Sequence, residues 1–201
     1  MTRPDRWTAA TGLGAAALAV AGPASAHMGT GLAGGFGAGF AHPFAGMDHL
    51  LAMVAVGLWG AILGRPLVIV LPVVFPAMMA GGAIFGMFGG PLPPVEVGVA
   101  LSALVLGACI ALAVRAPVWL AVSMVAAFAL FHGYAHGREL PSAADPVGYS
   151  AGFVLATGML HLAGVGIGAA SARPSGLAVT RGLGAFVAMA GVWFLYAAVR
   201  L

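Results

Sequence analysis

Six apolar runs, each long enough to cross a bilayer as a helix, follow one another through this chain with almost no charge inside them. They fall at 43–64, 67–88, 95–114, 118–137, 147–170 and 182–199. A helical span needs about 20 apolar residues to cross a hydrocarbon layer of about 30 Å. Within lipid each backbone N–H and C=O must be paired inside its own segment, so such runs become helices. Only 6% of the 201 residues are charged, against about 25% in a soluble domain, so the folded chain could not clothe itself for water. The expected fold is an all-α membrane protein of about six transmembrane helices, with the lipid bilayer as its first partner. The 32 glycines show no collagen period and suit close helix packing in lipid. Gly82, Gly86 and Gly90 repeat at four-residue intervals in that manner.

The first 26 residues read as a cleavable N-terminal signal peptide. Arg3 and Arg6 give a positive start, 9–20 is a short apolar core, and Ala24-Ser25-Ala26 is a cleavage signal. The expected domains are therefore the signal peptide, 1–26, and a single polytopic membrane domain, 27–201. Cleavage after Ala26 would leave His27 as the mature N-terminus on the outer side of the membrane.

Residues 29–41 are rich in glycine and read as a weak half-helix or an irregular approach on the outer side. Pro43 suits the first position of a helix, so the first span is expected to start there, with His42 just before it. Pro72 and Pro76 are expected to kink the second span. Arg65-Pro66, 89–94, Arg115-Ala116-Pro117, the polar stretch 138–146 and 171–180 read as connections. Trp193 and Tyr196 fall near the end of the last span, as interface aromatics tend to. An exported start followed by six spans puts Arg65, Arg115, Arg173 and Arg181 on the cytoplasmic side. Glu96, Glu139 and Asp145 then lie outside, with Arg138 and Arg200. That asymmetry follows the positive-inside rule. The expected location is a bacterial cytoplasmic (inner) membrane, with the mature N-terminus periplasmic.

Two polar clusters interrupt the apolar pattern. One is His42-Pro43-Phe44-Ala45-Gly46-Met47-Asp48-His49, at the mouth of the first span. The other is His132-Gly133-Tyr134-Ala135-His136-Gly137-Arg138-Glu139, at the end of the fourth. An ionisable side chain near hydrocarbon is costly and marks a functional site by default. The expected topology brings both clusters to one outer level of the membrane. His42 and His49 are seven residues apart and would return to one helical face; His132, His136 and Glu139 would share one stripe. Gly133 and Gly137 beside the histidines leave room for another helix. His161, about midway along the fifth span, would form a second station deeper in the membrane. Imidazole with carboxylate suits divalent transition ions such as nickel, cobalt, zinc or iron, where carboxylates alone would suit magnesium or calcium. The candidate metal residues are therefore His27, His42, Asp48, His49, His132, His136, Glu139 and His161. His27 would offer a ring and a free amine together at the entrance.

Plainer roles compete for some residues. Asp48 could cap a helix start, and Glu139 could pair with Arg138 or with water. Glu96 suits a helix N-terminus. Met28, Met47, Met53 and Met159 show no Met-x-Met or Met-x-x-Met pattern and read as core filler rather than copper ligands, and Cys109 as a small core residue. The net charge of +3 comes without a basic stripe or interleaved aromatics, so nucleic acid is set aside as a partner. No phosphate-binding loop of the Walker type is present, so the chain does not itself hydrolyse ATP.

The segments His-x5-Asp-His at 42–49 and Phe-His-Gly-Tyr-Ala-His-Gly-Arg-Glu at 131–139 resemble the two signatures of the HupE/UreJ family. So do the exported start ending in Ala-His, and Ala156-Thr157-Gly158-Met159-Leu160-His161. The resemblance spans essentially the whole mature chain. It implies a nickel or cobalt permease with the ion as transported substrate, no prosthetic group and no enzymatic activity. It also implies a functional link to hydrogenase, urease or cobalamin maturation. In the family the signature residues are those needed for transport, which here are His42, Asp48, His49, His132, His136 and Glu139. A homo-oligomer is compatible with it. The main rival is an intramembrane zinc-dependent hydrolase, in which three histidines hold the metal and an acid activates water. A third class is a metal sensor or accessory subunit that transports nothing.

Overall fold

The computed structural model describes residues 35–92, 94–139 and 145–200, and the side chains of Glu139 and Pro174 fall outside that set. The signal-peptide reading and His27 lie outside the described residues. Every regular element among those described is helical: α1 Phe36–Ala45, α2 Met47–Leu63, α3 Leu67–Met87, α4 Val95–Ala111, α5 Val118–Glu139, α6 Pro146–Ala169 and α7 Pro174–Ala198, with a short 3₁₀ turn at Ala170–Ala172.

Gly46 divides the expected first span. It takes an extended conformation (φ −101°, ψ 114°) that ends α1 and begins α2, and the two helices meet at 85°. Pro43 therefore does not start the span; it lies inside α1, where it has no N–H to give to the Gly39 carbonyl four residues earlier. Residues 36–41 are helical, so this part of the glycine-rich stretch is the half-helix of the two readings. The last helix also departs from expectation, starting at Pro174 rather than 182. Pro174 occupies its first turn, where a missing N–H costs nothing. The polar residues that suggested a loop are accommodated by the helix: Thr180 donates its hydroxyl to the Leu177 carbonyl at 3.0 Å. Arg181 donates through Nε to the Ala111 carbonyl at 2.7 Å, placing a cation on the C-terminal end of α4.

Among the described residues four helices, α3, α5, α6 and α7, are long and apolar enough to cross a membrane, and α1 with α2 makes a fifth candidate as a bent pair. The helix α4 has 17 residues and falls short of that length. In the four long helices only 28–39% of the most apolar window is buried. Phe88, Trp119, Val147 and Leu162 are among the large apolar side chains left exposed. Such an apolar exterior suits lipid. Trp193 and Tyr196 are stacked 5.9 Å apart near the end of α7, with the Arg200 guanidinium 4.3 Å from the tyrosine ring.

Glycine decides which helices touch. A Cβ at Gly133 or Gly137 of α5 would strike the backbone carbonyls of Met79 and Ala83 in α3. In return, Gly82 and Gly86 of α3 face the Leu130 and Tyr134 carbonyls. The two helices run parallel at near-backbone contact, as the glycines beside the histidines led one to expect. Gly57 and Gly164 join α2 to α6 in the same way, while Gly107, Gly184 and Gly191 join α4 to α7. Gly39 and Gly152 bring α1 against the start of α6. Asp145 caps α6 by accepting the Gly148 N–H at 2.9 Å.

Candidate metal centre

The break at Gly46 positions the first cluster. His42 lies in the last turn of α1 and His49 in the first turn of α2. The expectation of one continuous helical face is thus replaced by a corner, yet the two rings still lie 6.3 Å apart. From α5, His132 and His136 enter the same space one turn apart. Ring centroids are separated by 4.7 Å for His49–His136, 4.8 Å for His49–His132 and 4.8 Å for His42–His136. The four imidazoles form a chain, His42 to His136 to His49 to His132, contributed by three helices. His49 and His132 are fully buried, and His42 and His136 nearly so. The rings meet edge to face, and among the described residues no three His, Cys, Asp or Glu side chains form a group already arranged to hold a metal ion.

Asp48 is buried beside them. Gly46, not Asp48, is the N-cap of α2, and it makes no side-chain capping bond. The carboxylate Oδ1 instead accepts the His49 backbone N–H and the His49 ring Nδ1–H, each at 2.9 Å. An ionised carboxylate can only accept, so Nδ1 carries a ring proton, and in the neutral form of the ring Nε2 is the nitrogen with the lone pair. This carboxylate–imidazole pairing is the arrangement that orients histidine ligands in metal sites. It also sets one negative charge in an apolar interior, where a cation is strongly favoured.

Aromatic rings wall the cluster. Phe153 lies 4.4 Å from His136 and 5.8 Å from His42, and Tyr149 lies 5.9 Å from His42. A half-open groove of about 210 Å³ between α3 and α6, bordered by Pro76, Met79, Ala83, Tyr149 and Phe153, reaches His136.

His161 stands apart from the four. Its ring is fully buried on α6 and packs 5.3 Å from Phe75, whose other neighbour is His132 at 5.5 Å. Phe75 thus packs against both the cluster and His161. Pro76 has no N–H to give to the Pro72 carbonyl four residues earlier, and that carbonyl lies near the His161 ring. Thr157, one turn before His161, is likewise fully buried. The backbone of Glu139 ends α5 one turn beyond His136; its side chain, like the whole of His27, lies outside the described residues.

Sequence reasoning missed Phe75, Ser102, Tyr149 and Phe153. Ser102, on α4, is fully buried and bonds to His132. Only a serine inside an apolar run signalled it.

The family model described as HupE / UreJ protein matches residues 15–194. A curated relative, "Protein HupE" of Rhizobium leguminosarum bv. viciae, is 44% identical over 180 residues, covering 90% of this chain and 94% of the relative. No solved structure matches significantly. With the signatures at 42–49 and 131–139 brought together in one buried cluster and the match running nearly end to end, the chain belongs to the HupE/UreJ family.

Proposed function

We propose that this protein is a permease that takes up nickel, with cobalt as the alternative ion, across the bacterial cytoplasmic membrane. The observation that carries the reading is the approach of His42, His49, His132 and His136 to one another beside the Asp48 carboxylate. Two imidazoles sharing an ion through nitrogens about 2.1 Å from it have ring centres about 5 Å apart. The neighbouring pairs here, at 4.7–4.8 Å, already have that spacing. Small rotations about the side-chain torsions would turn edge-to-face packing into a shared coordination shell.

The ion arrives from the periplasmic side in this account. His27 and Glu139 meet it first, and it then exchanges water for imidazole within the four-histidine cluster. Asp48 supplies the compensating charge. From there it passes Phe75 to a second, inner station at His161, beside the Pro72 carbonyl and Thr157. Stations at two depths bind firmly enough to strip water and loosely enough to release. The ion is the cargo rather than a resident cofactor, and no bond in a substrate is broken. Membership of the family supports a functional link to hydrogenase, urease or cobalamin maturation as the use of the ion. Uptake of labelled nickel into proteoliposomes, with cobalt and zinc in competition, tests the reading. The wild type accumulates nickel, and His49→Ala and His132→Ala do not. Equal accumulation in empty vesicles, or normal uptake by both variants, overturns it.

A further inference from the structure

Ser102 belongs to α4, which carries none of the signature residues, yet its hydroxyl reaches into the cluster. Its Oγ lies 2.6 Å from the Val99 carbonyl and 2.9 Å from Nε2 of His132. A carbonyl oxygen only accepts, and two oxygens this close need a proton between them. The single hydroxyl proton of Ser102 is therefore committed to Val99. The serine can then only accept from His132, so Nε2 of His132 must be the protonated ring nitrogen. The neutral ring keeps its lone pair on Nδ1. This is the tautomer opposite to that of His49, whose Nδ1 is the nitrogen that donates to Asp48.

We propose that Ser102 is a positioning residue for ion capture: its hydroxyl holds His132 as the Nε2–H tautomer and so presents Nδ1 to the ion. The proposal rests on the permease reading and deepens it. The two adjacent rings, 4.8 Å apart, are preset in different tautomers by different partners, a carboxylate for one and a serine for the other. Partners of this kind fix ring orientation as well as protonation. Neither ring then has to lose a proton or flip before an ion binds.

The test uses the full chain in lipid, with ¹⁵N-labelled histidine. The His132 signals are those missing in His132→Gln. The expected wild-type spectrum shows His132 with an unprotonated Nδ1, and Ser102→Ala shows a mixture of tautomers. In proteoliposomes, Ser102→Ala raises the nickel concentration for half-maximal uptake about 10–100-fold, the usual range for loss of such a partner, with the maximal rate little changed. Ser102→Thr, which keeps the hydroxyl, restores the tautomer and the affinity. An unprotonated Nε2 in the wild type overturns the proposal, as does unchanged affinity in Ser102→Ala. A loss in Ser102→Ala that Ser102→Thr does not restore, with the tautomer unaltered, also overturns it and assigns Ser102 to packing. A wild type with the expected tautomer but no uptake refutes the permease reading instead, so the two failures are told apart.

Discussion

Oδ1 of Asp48 receives both the backbone N–H and the ring Nδ1–H of its neighbour His49, each at 2.9 Å. One oxygen thus fixes the ring's direction and its tautomer. Asp48 acts through His49 in this geometry, so its replacements should grade by what they keep. Asparagine retains an accepting oxygen but no charge; alanine retains neither. Asp48→Ala is expected to raise the nickel concentration for half-maximal uptake about 10–100-fold, and Asp48→Asn to fall between it and the wild type. Equal loss in both variants points instead to direct ligation by the carboxylate.

His161 stands apart from the four-histidine cluster, and Phe75 packs against both. Capture and transfer should therefore separate kinetically. His161→Ala is expected to lower the maximal uptake rate while leaving the half-saturating nickel concentration close to that of the wild type. His136→Ala should raise the latter. The same pattern in both variants would mean that the two positions form one site.

Gly133 places its Cα against the backbone of α3, where a methyl group would strike the Met79 carbonyl. The helices must part for it to fit, and overpacking of this kind costs about 1–3 kcal/mol. Gly133→Ala is expected to lower the thermal unfolding midpoint and to disturb His132 beside it. Gly182 on α7 meets nothing within 4 Å, so Gly182→Ala should not destabilise and should raise stability by up to about 1 kcal/mol through helix propensity. Thermal unfolding in detergent compares them, and equal midpoints would contradict the near-contact of α3 and α5.

The orientation is tested by labelling from outside the cell. In a Cys109→Ala background, Ser142→Cys in the connection before α6 should react with a membrane-impermeant thiol reagent. Ser175→Cys, in the first turn of α7, should not. The reverse pattern would put the histidine cluster at the cytoplasmic end.

The parts of this molecule that were legible in its sequence are those where polarity is out of place. Histidines and an aspartate in apolar runs are costly enough to announce themselves, and the glycines at 133 and 137 beside them implied a close neighbour, which is α3. The corner at Gly46 was hidden because Pro43 imitates a helix start, although it lies within α1. The start of α7 was hidden in the opposite sense. Arg173, Pro174, Ser175 and Gly176 have loop chemistry, but a first-turn proline and the Arg181 contact to Ala111 extend the helix through them. Phe75 was one apolar residue among many, and only its two histidine neighbours single it out. Ser102 satisfies its hydroxyl within its own helix, as buried serines often do. Its bond to His132 links positions 30 apart in the chain and has no local signature.

The central claim is that imidazoles from α1, α2 and α5 jointly take hold of one transition ion. X-ray absorption of the purified, nickel-loaded protein measures this most directly, because imidazole rings leave a distinct scattering pattern around the metal. The account predicts a shell containing several imidazoles that loses them stepwise in His49→Ala, His132→Ala and the double variant. A shell of oxygen alone, or one unaltered when both histidines are gone, would contradict it.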